Sequence, residues 1–176
     1  MIGREGSDSD YWPTSRLVIS APDESIRLQQ LGIVDAKPLF DLVDADRDHF
    51  KPYGSDFADS ASDVRQAMTS IALTRPDRMR FGIWDGGQLR GETGLVYRAG
   101  MIAETYWWVG GEHTQKGYAT RAQKLLGAWS FKAGRLTSLY ATIHENNMKS
   151  RSVAENAGFV PIDQEEDVIR YIKVKQ

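Results

Sequence analysis

The sequence predicts a mixed α/β fold of the α+β kind, with a largely antiparallel central sheet flanked by about four helices. Three observations predict it. Strand-like runs outnumber helical ones, and Asp85-Gly86-Gly87 is a strong hairpin signal between two of them. Three such runs follow one another in mid-chain with no helix between them. Ala122, Leu125, Leu126 and Trp129 recur at i, i+3, i+4 and i+7, an amphipathic helical stripe.

The elements follow in order. Leu17 to Ile19 and Ile26 to Leu31 read as strands, separated by the turn signal Ala21-Pro22-Asp23. Asp35 is the expected cap of a helix to about Asp46, with Pro38 in its first turn, where a missing N–H costs little. Arg47 to Phe57 reads as a loop, and Ser60 to Thr74 as a second helix with Val64, Ala67, Met68 and Ile71 on one face. Arg75-Pro76-Asp77 stops it. Strands are expected at Arg80 to Trp84, Leu89 to Arg98 and Glu104 to Val109. Gly110-Gly111 then breaks the pattern, and a polar loop leads into the long helix. Gly134 is its expected C-terminal cap. Gly127 inside it costs about 1 kcal/mol against alanine, which points to close packing. Leu136 to Ile143 is a strand, Ser150 to Ala157 a short helix closed by Gly158, and Phe159 to Ile162 and Val168 to Val174 the last strands.

The chain has 176 residues and no cysteine, so disulfides, cysteine zinc sites and a thiol nucleophile are excluded. Its three histidines form no close pair with metal-site spacing, and no metal is expected. The net charge of −2 and the absence of a long basic run argue against nucleic acid as a partner. No run of about 18 apolar residues exists, so no membrane span is expected, and the polar start Met1 to Trp12 is unlike a signal peptide. A cytoplasmic location is the expectation. Residues 1–13 read as a flexible, frayed N-terminal segment and residues 14–176 as one domain.

The informative stretch is Gly110 to Arg121, where a strand rich in aromatics opens through glycine into a helix. The first turn of a helix leaves N–H groups without intrahelical partners, and the macrodipole adds partial positive charge there. A phosphate fits such a place, although an ordinary helix start has the same look. It is not a Walker loop, because Lys116 precedes Gly117. No Gly-x-Gly-x-x-Gly fingerprint occurs.

Gln115-Lys-Gly-Tyr-Ala-Thr120, after a strand ending Trp107-Trp-Val-Gly110, resembles the acetyl-CoA loop of the GNAT N-acetyltransferase superfamily. Asn147-Met-Lys-Ser150 through Gly158-Phe159 resembles the Asn-x-x-Ser…Gly-Phe segment of its RimJ/RimL-like branch, as do Thr14-Ser-Arg-Leu17, Asp35-Ala36 and Arg47-Asp-His49-Phe50. One departure is clear. The superfamily's loop is usually Gln/Arg-x-x-Gly-x-Gly/Ala, whereas Thr114 stands in the Gln/Arg position and Gln115 where glycine is frequent.

The resemblance implies a GNAT-like domain that transfers acetyl from acetyl-CoA directly to a primary amine, a peptide or protein N-terminal α-amine first. A small amine, amino acid or antibiotic, or a non-catalytic acyl-CoA sensor, are the alternatives. The cofactor would contact Val109, Thr114, Gln115, Lys116, Gly117, Tyr118, Ala119, Thr120, Asn147 and Ser150. Glu104 would be the base, with Glu165-Glu166-Asp167 as its rival, and Ser150 the proton donor to sulfur, with Tyr140 as fallback. An ion-paired carboxylate and a capping serine are the plain readings of Glu104 and Ser150. His113 and His144 are candidates for phosphate and acceptor contacts, or ordinary polar residues. Asp44, Asp46, Asp48, Asp56, Asp59 and Asp63 would make the acceptor half acidic and favour a cationic amine. The expected partners are acetyl-CoA and the acceptor, with a homodimer as a possible assembly.

Overall fold

The computed structural model describes residues 16–50, apart from Pro22 and Glu24, and residues 59–176. The expected N-terminal segment, Thr14-Ser15 and the loop from 51 to 58 (Asp56 included) lie outside these. The strands are β1 (Val18–Ser20), β2 (Arg27–Gln30), β3 (Arg78–Asp85), β4 (Gln88–Arg98), β5 (Ile102–Val109), β6 (Ser138–His144), β7 (Val160–Glu165) and β8 (Val168–Val174). The helices are α1 (Ala36–Asp44), α2 (Arg47–Phe50), α3 (Val64–Ala72), α4 (Tyr118–Lys132) and α5 (Met148–Asn156). One sheet holds all eight strands in the order β1-β2-β3-β4-β5-β6-β8-β7. Every neighbouring pair is antiparallel except β5–β6. The mixed, largely antiparallel architecture is the one expected, with one extra helix among the described residues. That helix, α2, is a single turn, too short for hydrophobic spacing to reveal.

Both faces of the sheet centre are covered, so the middles of β3 and β4 are buried at consecutive residues. Phe81, Ile83, Leu95, Ala122, Leu126, Leu139 and Tyr171 belong to one core, beneath α4 and α5. Trp84, Leu89, Leu39, Val43 and Ile71 belong to a second, beneath α1 and α3. The hairpin at Asp85-Gly86-Gly87 forms as expected, with φ of 55° and 82° at its two glycines. Such left-handed pairs match the twist of the flanking strands.

Several boundaries differ for local reasons. Asp35 closes a short 3-10 turn, and its carboxylate accepts from Gly32 N–H at 2.9 Å and from Arg16 rather than capping α1. Helix α3 begins at Val64, not Ser60, because Asp63 is the N-cap and accepts from Gln66 N–H at 2.8 Å. Gly134 is not the left-handed cap of α4. Its N–H closes on Trp129 O at 3.1 Å, and the positive φ falls on Arg135 (56°). Gly127 does mark close packing, since a Cβ there would lie 3.1 Å from Lys173 Nζ.

The parallel contact of β5 with β6 is what builds a site. Pairing begins at Ile102–Ser138 and ends at Glu104–Tyr140. Beyond it β5 runs on to Val109 and β6 to His144 without pairing, so the sheet splits. Among the described residues no helix is long and apolar enough to cross a membrane.

Candidate active site

The split leaves main-chain groups of β5 without strand partners. Gly110 N–H donates to Arg90 O of β4 at 3.0 Å. Alternation along the strand then turns the N–H of Val109 and of Trp107 away from β4, into the gap. Gly91 of β4 lies opposite Val109, and a Cβ on it would overlap Trp108 O and lie 2.8 Å from Val109 Cα. Gly91→Ala is expected to push this strand end outward and cost about 1–3 kcal/mol. Thermal unfolding checks this, at about 2–4 °C per kcal/mol.

After Val109 the chain turns through Gly111–His113 and enters α4. Gln115 (φ 61°) and Gly117 (φ 77°) are both left-handed. Such residues bend successive N–H groups into an anion-binding concavity. The first intrahelical bond is Arg121 N–H to Gly117 O, and no side chain caps the helix. The N–H groups of Tyr118, Ala119 and Thr120 therefore lie open at the positive end of a 15-residue helix. The helix start is pinned from within. Buried Gln123 donates to Thr93 Oγ1 at 2.8 Å and accepts from Thr105 Oγ1 at 3.2 Å, tying α4 to β4 and β5. Tyr118 turns its hydroxyl to Asp85, so what it offers the gap is its main-chain N–H.

A cleft of about 690 Å³ follows the gap. Of the expected cofactor residues, Val109, Thr114, Gln115, Gly117, Tyr118, Ala119, Thr120, Asn147 and Ser150 line it; Lys116 does not. Asn147 is the N-cap of α5, accepting from Ser150 N–H at 3.1 Å. The capping role is thus real for Asn147. Ser150 is different: its N–H is used by the cap, while its hydroxyl bonds no described residue and lies at the cleft wall. His113 also lines the cleft. Burial, then Arg90 and Lys116, push its imidazole below its usual pKa, which favours the neutral form.

A second cleft, about 1450 Å³, opens on the other side of the split and shares Trp107, Trp108, Asn147, Met148, Lys149 and Ser150 with the first. Glu104 lies in it, accepting from Arg98 at 2.8 Å, with Thr142 Oγ1 at 3.5 Å. Its floor is a buried network that sequence reading missed. Arg80 donates to both carboxylate oxygens of Glu92 at 2.8 Å and to Ser70 O and Oγ of α3. Tyr106 donates to Glu92 Oε1 at 2.7 Å. Burial opposes the charge of Arg80, but Glu92 more than offsets it, and the pKa is raised. Burial, then Glu92, pushes the Tyr106 phenol well above its usual value. No local pattern marks this network in the sequence, because Glu92 sits in a strand that also carries Gln88, Arg90, Thr93 and Arg98.

Of the other candidates, His144 pairs with Asp167 at 3.1 Å, and both line the second cleft. Glu165 ends β7 and Glu166 lies in the exposed turn that follows, and neither lines a cleft. Trp107 packs near Phe159, Trp108 against Phe50 and Trp129 against Phe81, as wall and core residues. None of the described aspartates of the expected acidic half lines either cleft. Asp63 is consumed as a cap and Asp44 by Arg47. Among the described residues no cluster of three or more His, Asp or Glu is placed to hold a metal.

Comparisons with known proteins identify the family and the fold. A family model described as Acetyltransferase (GNAT) domain matches residues 25–160. No curated protein matches the chain in sequence. Among solved structures, Mycobacterium smegmatis RimJ in complex with CoA-disulfide has a TM-score of 0.78 at 21% identity, covering 93% of this chain and 88% of its own. RimL, a ribosomal L7/L12 alpha-N-protein acetyltransferase in complex with coenzyme A, has a TM-score of 0.79 at 13% identity, covering 89% and 97%. The microcin C7 self-immunity acetyltransferase MccE, in complex with acetyl-CoA and AMP, has a TM-score of 0.70 at 20% identity, covering 86% and 93%. At these identities the structural likeness speaks for the fold; the family match covers most of the chain, and the chain belongs to the GNAT acetyltransferase family.

Proposed function

We propose that this protein moves an acetyl group from acetyl-CoA to a primary amine, a peptide or protein N-terminal α-amine, by direct attack in a ternary complex. The observation that carries this reading is the convergence on one split in the sheet of three things: open N–H groups at the start of α4, the gap-facing N–H of Val109, and the unbonded hydroxyl of Ser150. The solved relatives with CoA or acetyl-CoA bound, and the α-N-protein activity named for RimL, support the cofactor and the acceptor class.

In this mechanism the diphosphate rests on the N–H groups of Tyr118, Ala119 and Thr120, flanked by Thr114, Gln115 and Gly117. The pantetheine arm threads between β5 and β6, bordered by Asn147. The neutral amine enters from the second cleft and attacks the thioester carbonyl, forming the C–N bond. Negative charge growing on the carbonyl oxygen is met by Val109 N–H. Glu104, directly or through water, takes the amine proton, for which its ion pair with Arg98 must open. That pair is largely exposed, and such pairs are worth about 0–1 kcal/mol, so opening it costs little. The C–S bond breaks and Ser150 passes its proton to the leaving thiolate, recovering one from solvent.

Ser150→Ala is expected to lower kcat about 10²–10⁴-fold, the size of a positioned general acid, with a far smaller change in the Kd for acetyl-CoA. Turnover and calorimetry together check this; an unaltered kcat removes Ser150 from the mechanism. The Arg98–Glu104 pair also favours a second reading, a non-catalytic acyl-CoA sensor, because a carboxylate held by a guanidinium is a hindered base. Thiol release from acetyl-CoA across a panel of peptides and small amines separates the two. Release with at least one amine supports transfer, and tight binding without release from any supports the sensor.

A further inference from the structure

The second cleft is lined by five cationic side chains, Arg75, Arg78, Arg80, Arg98 and Lys149, against three carboxylates. Most of these charges are already spent. Arg80 is neutralised by Glu92, Arg98 by Glu104 and Arg75 by Asp77. Arg78 and Lys149 make no ion pair with a described residue. Of the two, Arg78 is held in place. Its guanidinium lies 5.7 Å from the centroid of the Tyr106 ring, and Tyr106 is itself fixed by its bond to Glu92. A guanidinium over an aromatic face keeps its in-plane N–H fork free for a carboxylate.

The strand register says where that fork sits. Arg78 pairs with Val96, and Val96 pairs with Glu104, so the three form one row across β3, β4 and β5. Alternation puts Arg78 on the same face of the sheet as Glu104, about two strand spacings (roughly 10 Å) away. An acceptor whose amine lies at Glu104 can therefore place a nearby anionic group at Arg78. An extended peptide covers that span in about three residues.

We propose, resting on the acetyl-transfer reading above, that Arg78 is the residue that selects the acceptor, and that the preferred acceptor is a peptide N-terminus with an acidic side chain within its first three residues. This reverses the cationic preference that the aspartate-rich sequence around residues 44–63 suggests. The carboxylate of the acceptor meets the free fork of Arg78, while its amine meets Glu104 on the same row.

Pairs of short peptide amides that differ only in Asp against Asn at the second or third position test this, with kcat and KM measured separately. The aspartate peptide is expected to have about tenfold higher kcat/KM, most of it in KM, the size of one charge-assisted contact. Arg78→Ala is expected to bring that ratio close to one, and Arg78→Lys to keep part of it, while acetyl-CoA affinity reports that each variant is folded. A ratio near one in the parent protein overturns the proposal. So does a ratio that survives Arg78→Ala, or one that collapses in Lys149→Ala instead. These failures are distinct from that of the acetyl-transfer reading, which fails only if no peptide releases thiol at all.

Discussion

Gly117→Glu is expected to weaken acetyl-CoA binding at least about a hundredfold. Gly117 precedes the first turn of α4 in a left-handed conformation, with φ of 77°. A Cβ there meets nothing within 4 Å, so the substitution acts through charge and backbone, not through collision with the protein. Two unit charges 4 Å apart near a protein surface interact by about 4 kcal/mol, equivalent to about a thousandfold in affinity. An exposed glutamate that swings away recovers part of that. The left-handed backbone adds a further cost of about 1–2 kcal/mol to folding for a residue with a Cβ. Gly117→Asn separates the two effects, because asparagine tolerates this conformation and carries no charge. Calorimetric titration of both variants checks the expectation. Near-normal affinity in the asparagine variant and loss in the glutamate variant is the expected pair, and unchanged affinity in the glutamate variant refutes a diphosphate at this helix start.

The second large effect is on stability. Glu92→Ala is expected to cost about 3–5 kcal/mol, because it strands the Arg80 guanidinium and the Tyr106 hydroxyl in the floor of the second cleft. The side chains of Arg80 and Glu92 are 10% and 2% exposed, so the lost partner is one held largely out of solvent. For a domain of this size that is a drop in Tm of about 6–20 °C. Replacing the pair together, as Arg80→Met with Glu92→Leu, is expected to recover most of the loss, since two charges then leave the interior at once. Thermal or urea unfolding of the two variants measures both. A single variant as stable as the parent contradicts the assigned network.

Local chemistry decided which of these features could be seen in the sequence. The hairpin at Asp85-Gly86-Gly87, the apolar stripe of α4 and the glycine before it follow from nearest-neighbour rules, and the structure has them where the residues say. The long element order was legible for the same reason. Asp35 and Gly134 were misread because a side chain or a left-handed turn has several local partners to choose from. Asp35 chose Gly32 and Arg16, and the turn moved on to Arg135. The split between β5 and β6 was not legible, because it depends on which strands meet in parallel and where they part, a matter of register between segments about thirty residues apart. The Arg80–Glu92–Tyr106 network was invisible for a like reason, as was Arg78 in one row with Glu104. That the described aspartates between residues 44 and 63 line neither cleft was not legible either, because counting aspartates in a segment says nothing of where each carboxylate is used.

The most direct measurement is a crystal structure of the protein grown with acetyl-CoA. The expected result is a diphosphate within about 2.7–3.2 Å of the main-chain nitrogens of Tyr118, Ala119 and Thr120, with the thioester between β5 and β6, its oxygen towards Val109 N–H and its sulfur near Ser150 Oγ. Acetyl-CoA bound with its diphosphate elsewhere, or its acyl end outside the split in the sheet, contradicts it.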